Sequence, residues 1–390
     1  MSKLQKPIYN PLIPDVPLFK RDNIHLTLQQ VDSYNKKDNY LITTRNMGKS
    51  TVMWARVYKQ AKAGLIPIIM KTRPVTVTQM WIDDIARELN KFRKPSEYCS
   101  VHQVPGSDIR SGTIDLEYID QDMEEPAILC RVICISIDVS RFKGLVLPNV
   151  GDIFIDEFMP DVRHGEKWLQ GYTWRANTLW TTFSRFKWEV QHKVMKRYWF
   201  GNPYSRFVPP LFEQYKVNTL DLKPGNIIVG EDFLVSLATP CPELRQLMEK
   251  ENPTALNEIN KEWYDFLNGE FTADNEYDFD PVLPKGYKLV WCFRVCNTYI
   301  GAWVDSEDID WSGWNPFRNK WWIGMLPPDY STKQHKVYAF DFNDFVKGSN
   351  LIQQSDKGKM SILKLNIAQR NVTFQDVNVA SIVEQLYEMI

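Results

Sequence analysis

The chain has 390 residues, of which 44% are hydrophobic and 24% are charged, and its formal net charge at pH 7 is -1. This length and composition predict two or three domains with buried cores, and they exclude both a uniformly basic, histone-like binder and a highly charged disordered chain. The small net charge is the sum of oppositely charged blocks: +10 over residues 1–94, -8 over 95–160, +6 over 161–230, -10 over 231–280 and +1 over 281–390. The net charge therefore does not exclude a polyanionic partner.

Cysteine use and hydropathy indicate the compartment. The six cysteines are spread along the chain without a C-x-x-C or H-x-x-x-H motif, which predicts reduced core thiols rather than a disulfide framework or a zinc site. No window approaches the ~20 apolar residues of a membrane span. Residues 1–20 also lack the apolar core of a signal peptide. We therefore expect a cytosolic protein with no membrane partner.

The first two thirds of the chain have the texture of an α/β domain. Residues 1–38 are rich in proline and are interpreted as an N-terminal arm. From 39 to 230, short apolar runs with little polar alternation alternate with stretches of helical periodicity, which predicts a buried parallel sheet. We predict helices over 49–63, 77–92 and 175–195, and strands over 40–43, 65–71, 127–137, 151–158 and 197–200.

Composition changes after residue 230. Residues 231–285 are acidic, and we interpret them as a small linker domain with a helix over 255–267. Residues 286–390 are rich in strands and are predicted to form a separate α+β domain. Its predicted elements are strands over 288–295, 298–304, 320–325 and 336–342, followed by a helix over 377–389.

A phosphate-binding motif lies between the first strand and the first helix of the α/β domain. Gly48, Lys49 and Ser50 supply the last three positions of G-x-x-x-x-G-K-[ST], whereas Thr43 replaces the leading glycine. Such a loop offers backbone N–H groups to phosphates, a lysine to the β/γ charge and a hydroxyl to Mg²⁺. A G-K-S triplet also arises by chance. The predicted ATP contacts are Thr44, Arg45, Asn46, Met47, Gly48, Lys49, Ser50 and Thr51.

Two adjacent carboxylates follow an apolar strand about 105 residues later. Asp156 is predicted to hold Mg²⁺ opposite Ser50, and Glu157 to act as the general base that orients and activates water. A strand that ends in a solvated acidic turn is the alternative interpretation. The order and spacing of the two motifs favour a nucleotide site at the carboxyl ends of the strands.

An adjacent Asp-Glu pair is typical of the additional-strand P-loop ATPases. In that class the polar tip of the next strand senses the γ-phosphate, and Asn202 fits this position, although it could also be a turn residue before Pro203. Ring ATPases also need a transition-state arginine, often supplied in trans. Arg185 is the first candidate, with a solvated helix face as the alternative. The competing cations are Arg175, Arg73 and Lys71.

Several runs, taken in order, resemble the genome-packaging ATPases of small podophages of the phi-29 type. They are the stretch 145–158 after a basic loop at 138–144, the triplet 202–204, the run 299–305 and the C-terminal stretch 350–390. The resemblance is thin over residues 38–390, and only the ATPase motifs are specific. Lys49, Ser50, Asp156 and Glu157 match the family's nucleotide motifs, Arg45 and Asn46 fall within its phosphate loop, and Thr43 departs from it.

The resemblance implies an ATP-driven motor. It implies a homomeric ring, usually pentameric, that docks on the phage portal and moves double-stranded DNA into a preformed shell; a packaging RNA is left open as a further partner. The implied location is the host cytoplasm, transiently at the portal vertex of the procapsid. It also implies an N-terminal ATPase domain, a linker domain and a C-terminal domain that resembles a vestigial RNase H-like nuclease.

The basic loop offers cations to DNA. Arg141 and Lys143 lie between two predicted buried strands, immediately upstream of the carboxylates. In a ring, two such cations per subunit would contact DNA phosphates without reading sequence. An ordinary solvated loop is the alternative.

The C-terminal domain is predicted to lack nuclease activity. RNase H-type chemistry needs several carboxylates around two metal ions, the first usually in the middle of the opening strand. That strand, 290–295, contains no carboxylate, so Asp305 and Asp308 after the next strand lack their partner. The aromatic and basic run 311–322 is interpreted as a packed hairpin core, with base stacking as the alternative.

Two other functions remain open from the sequence. A terminase-like ATPase would also cleave DNA, and the missing first-strand carboxylate argues against it. A non-enzymatic capsid-assembly protein with a degenerate nucleotide fold would explain Thr43 in the phosphate loop.

Overall fold

The structure is a computed structural model in which the chain forms two compact units. The first comprises Met1–Ser205 and Asp221–Thr272, and the second comprises Arg206–Leu220 and Ala273–Ile390. The described residues are 3–5, 28–43, 47–91, 93–108, 112–142, 147, 149–161, 168–169, 171–189, 194–204, 208–215, 217, 222, 227–238, 246, 250, 278–295, 298–305, 320–326, 337–339, 349–351, 361, 363, 365–367, 371–376, 379–380 and 382–383.

The first unit is built on a ten-stranded sheet with helices. The helices are α1 (Leu28–Ser33), α2 (Lys49–Lys62), α3 (Gln79–Asn90) and α4 (Tyr172–Glu189). The strands are β1 (Lys3–Gln5), β2 (Asp38–Thr43), β3 (Ile66–Lys71), β4 (Cys99–Gln103), β5 (Thr113–Asp120), β6 (Ala127–Cys134), β7 (Val150–Asp156), β8 (Arg197–Gly201), β9 (Ile227–Val229) and β10 (Phe233–Ala238).

The sheet has a parallel centre and antiparallel edges. Its order is β1-β9-β10-β2-β8-β7-β3-β6-β5-β4, and the six strands from β10 to β6 are mutually parallel. Strand β8 therefore lies between β2, which precedes the predicted phosphate loop, and β7, which ends at the carboxylate pair.

Burial explains why the strands fall into these two groups. Every residue of β2, β8 and β10 is buried, as expected for central strands covered on both faces. Strand β5 instead alternates between half-buried and buried residues, because only one face of this antiparallel edge packs on the core. Helices α2 and α3 cover the sheet with apolar side chains such as Val52, Val57, Ile82, Ile85 and Leu89.

Elements of the first unit lie beyond two of the predicted domain limits. The predicted arm contains β1 and α1, and Leu28 and Val31 of α1 are fully buried in the core because they share one helical face. The predicted boundary at residue 230 cuts off β10, which pairs in parallel with β2. Strands β4 and β5 were also not predicted, and the linker helix predicted over 255–267 lies outside the described residues.

The second unit contains α5 (Pro209–Tyr215) and a seven-stranded sheet. The strands are β11 (Asp278–Phe279), β12 (Tyr287–Val295), β13 (Thr298–Asp305), β14 (Trp321–Met325), β15 (Val337–Ala339), β16 (Ser349–Leu351) and β17 (Val372–Phe374). Their order is β11-β17-β14-β13-β12-β15-β16. The meander β12-β13-β14 is antiparallel, whereas β15 and β16 run parallel to β12.

Aromatic packing fills the core of the second unit. The ring centroids of Trp291 and Trp321 are 4.9 Å apart, and both side chains are buried with Phe293 and Phe374. The described end of the 311–322 run, Trp321 and Trp322 on β14, is therefore core, as predicted. The rest of that run, and most of the helix predicted over 377–389, lie outside the described residues.

Candidate functional site

Gly48, the glycine of the predicted phosphate loop, immediately precedes helix α2. Gly48 precedes the helix with φ 82° and ψ 17°, a left-handed conformation that favours glycine, and its carbonyl accepts a hydrogen bond from Val52 N at 2.9 Å. The first turn of α2 then presents Lys49 and the exposed Ser50 at the carboxyl edge of β2. A helix N-terminus placed in this way offers N–H groups and a favourable dipole to an anion.

The side chain of Lys49 joins two neighbouring strands. Its Nζ donates to Thr43 O and Thr43 Oγ1, both at 2.9 Å, and to Asn202 Oδ1 at 2.8 Å. The threonine at the leading-glycine position thus supplies a hydroxyl acceptor to the lysine. Asn202 also donates from Nδ2 to the Tyr204 hydroxyl at 3.1 Å.

The other predicted phosphate-loop residues have separate positions. Met47 is buried, and Thr51 donates from Oγ1 to Glu88 Oε2 at 2.5 Å, which links α2 to α3. Thr44, Arg45 and Asn46 lie outside the described residues.

The carboxylate pair lies at the end of β7, beside the end of β3. Lys71 Nζ is 2.6 Å from Asp156 Oδ2 and 3.7 Å from Glu157 Oε2. The side chain of Lys71 is 4% exposed, that of Asp156 14% and that of Glu157 69%. A buried cation therefore bridges the two predicted catalytic carboxylates, a contact that the sequence did not reveal.

The backbone after Asp156 is held in an unusual conformation. Glu157 has φ 51°, which costs a non-glycine residue about 1 kcal/mol. The next N–H, from Phe158, donates to Phe200 O of β8 at 3.1 Å. Phe158 lies so close to Gly201 that a Cβ there would come within 2.7 Å of its ring. Residue 201 must be small for the carboxylate turn to pack against β8 and Asn202.

A cavity of about 340 Å³ opens beside the carboxylates. Its polar wall includes Lys71, Arg73, Asp156 and Glu157, and the remaining wall is largely aromatic and apolar. This combination suits a ligand that combines charge with apolar surface. The other lining residues are Thr72, Thr76, Phe158, Met159, Pro160, Asp161, Trp168, Leu169, Tyr172 and Tyr204.

The candidate arginines have different surroundings. Arg185 is exposed on α4. Arg175 donates from one guanidinium nitrogen to the carbonyls of three successive residues, Ile135, Ser136 and Ile137, at 3.5, 3.5 and 3.0 Å. Arg175 thereby fixes the chain that leaves β6.

The basic loop is anchored at the same carboxyl edge. It follows β6, which is parallel to β3 and β7, and its Phe142 is buried against Phe183 of α4 with ring centroids 6.1 Å apart. Asp138 accepts a hydrogen bond from Ser140 N at 2.9 Å. Arg141 is exposed on this anchored turn. Lys143 lies outside the described residues.

A second buried ion pair, which the sequence analysis missed, lies at the amino edge of the sheet. Arg197 donates from Nε and Nη2 to the two oxygens of Asp38 at 2.5 and 2.7 Å, and from Nη1 to Asn177 Oδ1 at 2.7 Å. Trp199 Nε1 also donates to Asp38, at 3.1 Å. The only available signal was a charged residue at the start of each of two apolar strands.

The described cysteines are free and buried, as predicted for core thiols. Burial raises the pKa of Cys134 and of Cys292 to about 12, so neither is a thiolate at neutral pH. Within the described part of the chain, no helix is long and apolar enough to span a membrane.

The first unit is a mixed α/β fold built on a large, mainly parallel sheet. Two solved structures are similar over almost the whole length of the chain. The Phi-28 gp11 DNA packaging motor matches with a TM-score of 0.59 at 12% identity, over 92% of this chain and 95% of its own. The bacteriophage Phi-29 viral genome packaging motor assembly matches with a TM-score of 0.59 at 17% identity, over 94% and 99%.

This chain therefore has the fold of the phage packaging motors, and the resemblance seen in the sequence is confirmed as a likeness of fold. No family model and no curated protein matches the chain.

Proposed function

We propose that this chain is the ATP-hydrolysing subunit of a ring that moves double-stranded DNA through a portal into a preformed phage capsid. The observation that carries the proposal is that the predicted nucleotide-binding and catalytic side chains come together at the carboxyl edge of one sheet. Lys49 contacts Asn202 across two adjacent strands, and the Asp156–Glu157 pair follows the next strand. The full-length likeness in fold to two packaging motors supports the DNA-packaging role.

The side chains at this edge divide the work of hydrolysis. The Ser50 hydroxyl and the Asp156 carboxylate are hard oxygen donors, as Mg²⁺ prefers, and they would hold the ion. When bound, Mg²⁺ neutralises charge on the β- and γ-phosphates. Lys49 binds the same phosphates, and Glu157 orients the attacking water and accepts its proton. Asn202, at the tip of β8, contacts the γ-phosphate and reports its loss to β8.

Arg141 and Lys143 contribute the DNA contacts. The position of the basic loop supports this role, because Arg141 is exposed on a turn that Phe142 anchors at the same sheet edge as the carboxylates. Weak phosphate contacts of this kind suit a motor that must release DNA at every step. In a ring, Arg185 of one subunit would complete the nucleotide site of the next.

The second unit is proposed to be an RNase H-like, nucleic-acid-binding domain without nuclease activity. Its antiparallel meander followed by two strands parallel to β12 supports the RNase H-like assignment. The proposed division is an ATPase domain that extends through β10, an acidic linker domain in the remainder of 231–285, and this C-terminal domain over 286–390. Full-length protein incubated with supercoiled plasmid and Mn²⁺ should leave the plasmid intact, and nicking would restore the terminase-like alternative.

The proposed partners follow from the same role. They are other copies of the chain in a homomeric ring, with five as the expected number, the phage portal and a packaging RNA. The expected location is the host cytoplasm and, transiently, the portal vertex of the procapsid.

ATP turnover by the full-length protein, measured with and without duplex DNA at several salt concentrations, tests the proposal. We expect Mg²⁺-dependent turnover that DNA stimulates, and stimulation that fades steeply with salt because phosphate contacts release counterions. An ATPase indifferent to DNA would overturn the packaging role. A chain that neither binds nor hydrolyses ATP would favour the non-enzymatic assembly protein.

A further inference from the structure

Lys71 is a buried cation whose charge is balanced by the proposed catalytic carboxylates. It ends β3, next to β7, and its side chain is 4% exposed. Its Nζ contacts Asp156 at 2.6 Å and lies 3.7 Å from Glu157. A buried ammonium is stable only when it is paired and hydrogen-bonded, so these two carboxylates are what permits it to stay charged.

Lys71 in turn compensates the charge of the two carboxylates. Lys71 Nζ lies 2.6 Å from Asp156 Oδ2 and 3.7 Å from Glu157 Oε2, so its ammonium is a counter-ion for the two neighbouring carboxylates when no metal ion is bound. Without a cation, their mutual repulsion would destabilise this turn.

Lys71 has a second partner and an aromatic neighbour. If another cation binds Asp156, Glu157 is close enough to remain paired with the Lys71 ammonium. The ring centroid of Trp81 lies 5.1 Å from Lys71 Nζ. A lysine is a point charge on a flexible stem with three equivalent donors, so it can exchange one oxygen for another at small cost.

We propose that Lys71 is an internal counter-ion that competes with divalent metal for Asp156, so that metal loading transfers its ammonium from Asp156 to Glu157. Lys71 is then a positioning residue: it holds the empty site together and, after loading, orients the general base. The inference rests on the proposed function in one respect, the assignment of Asp156 as the metal ligand.

Metal binding without nucleotide tests the competition directly. Mn²⁺ binding to the full-length chain is measured by electron paramagnetic resonance for wild type, Lys71→Met and Lys71→Gln, the last of which keeps a donor to Asp156. We expect both variants to bind Mn²⁺ at least about tenfold more tightly, because a positive charge has left the metal position. Lys62→Met, which removes a lysine paired with Asp120, should leave Mn²⁺ affinity unchanged.

Thermal unfolding gives a second readout that does not depend on activity. In EDTA, Lys71→Met should melt below wild type, and added Mg²⁺ should restore much of the loss, whereas wild type should respond little. Adding Asp156→Asn to Lys71→Met should abolish the gain in Mn²⁺ affinity. Unchanged Mn²⁺ affinity in both Lys71 variants would overturn the inference, and so would a gain that survives Asp156→Asn. Neither result depends on whether the wild-type protein hydrolyses ATP.

Discussion

The two edges of the central sheet each carry a buried ion pair, and the two pairs are built differently. At the amino edge, the side chains of Arg197 and Asp38 are 1% and 0% exposed. The arginine is forked onto both carboxylate oxygens, and Asn177 occupies a third nitrogen. At the carboxyl edge, Lys71 contacts Asp156 through a single short bond beside a cavity of about 340 Å³.

This difference separates a pair that fixes the fold from one that can be exchanged. The planar guanidinium of Arg197 is held in one orientation because its donors are satisfied, and its partner Asp38 is closed to solvent. The lysine can rotate, its partner carboxylate is open to the cavity, and a second carboxylate lies within reach. The shortest N–O distances in the two pairs are similar, 2.5 and 2.6 Å, so the number of satisfied donors and the exposure of the carboxylate, 0% for Asp38 and 14% for Asp156, are what distinguish them.

Asp38→Asn should produce the largest loss of stability. Removing one partner of a fully buried pair leaves an uncompensated guanidinium, which costs on the order of 3–5 kcal/mol. Urea denaturation measures the free energy of unfolding. The control is Asp115→Asn, which breaks a bidentate pair with Arg131 whose side chains are 23–26% exposed, and it should cost about 1 kcal/mol or less.

The amino-edge pair is predicted to have no chemical role. ATP turnover per folded molecule should therefore be the same in Asp38→Asn as in wild type. A variant that folds with normal stability but loses turnover would break the distinction between the two edges.

Asp120→Asn should lower the free energy of unfolding by less than Asp38→Asn does, and the size of this loss should depend on pH. Asp120 accepts hydrogen bonds from Tyr58 at 2.5 Å and Lys62 at 3.0 Å, and Arg93 lies 3.3 Å away. Burial by itself raises the pKa of this carboxyl, but the hydrogen bonds from Tyr58 and Lys62 and the charges of Lys62 and Arg93 outweigh it and hold the pKa below its usual value.

A carboxyl with a depressed folded pKa contributes stability above its unfolded pKa of about 3.9 and loses it as pH falls through the folded pKa. The wild-type protein should therefore exceed Asp120→Asn by about 2 kcal/mol between pH 5 and 7. Denaturant titrations should show this difference shrinking below about pH 4. A difference that stays constant down to pH 2 would show that the effect is packing and not charge.

Arg141→Ala should give the smallest effect, because the residue is exposed. One lost phosphate contact per subunit should lower the slope of log affinity against log salt by about 1 and weaken DNA stimulation of turnover a few-fold, with basal turnover unchanged. Arg87→Ala, an exposed arginine on α3, is the matched control and should leave the slope unchanged. An equal change in both variants would remove the DNA role of the basic loop.

The parts of the fold that the sequence predicted are those with local signals. The central strands read as uninterrupted apolar runs because both faces are buried, and the phosphate loop has the G-K-S triplet. Strand β5 was missed although its polar and apolar residues alternate from Thr113 to Tyr118, a pattern typical of a half-buried strand. Strand β10 was missed because it lies in an acidic block whose composition suggested a linker.

The site contacts depend on the pairing of distant strands, which no local pattern encodes. Lys71 meets Asp156 only because Met70 pairs with Ile155 in the parallel register of β3 and β7. Lys49 meets Asn202 only because β8 is inserted beside β2. The left-handed backbone at Glu157 is likewise set by its packing against β8 and not by its own preference.

The central claim, that the carboxyl edge hydrolyses ATP, is tested most directly by comparing Glu157→Gln with wild type. Bound radiolabelled ATP and released phosphate are measured on the same full-length protein with Mg²⁺, and Glu125→Gln, an exposed acid in the turn after β5, serves as the control. We expect the variant to retain ATP while turnover falls on the order of 10²–10⁴-fold, because it keeps the phosphate loop but loses the general base. Turnover at the wild-type rate in Glu157→Gln would contradict the claim.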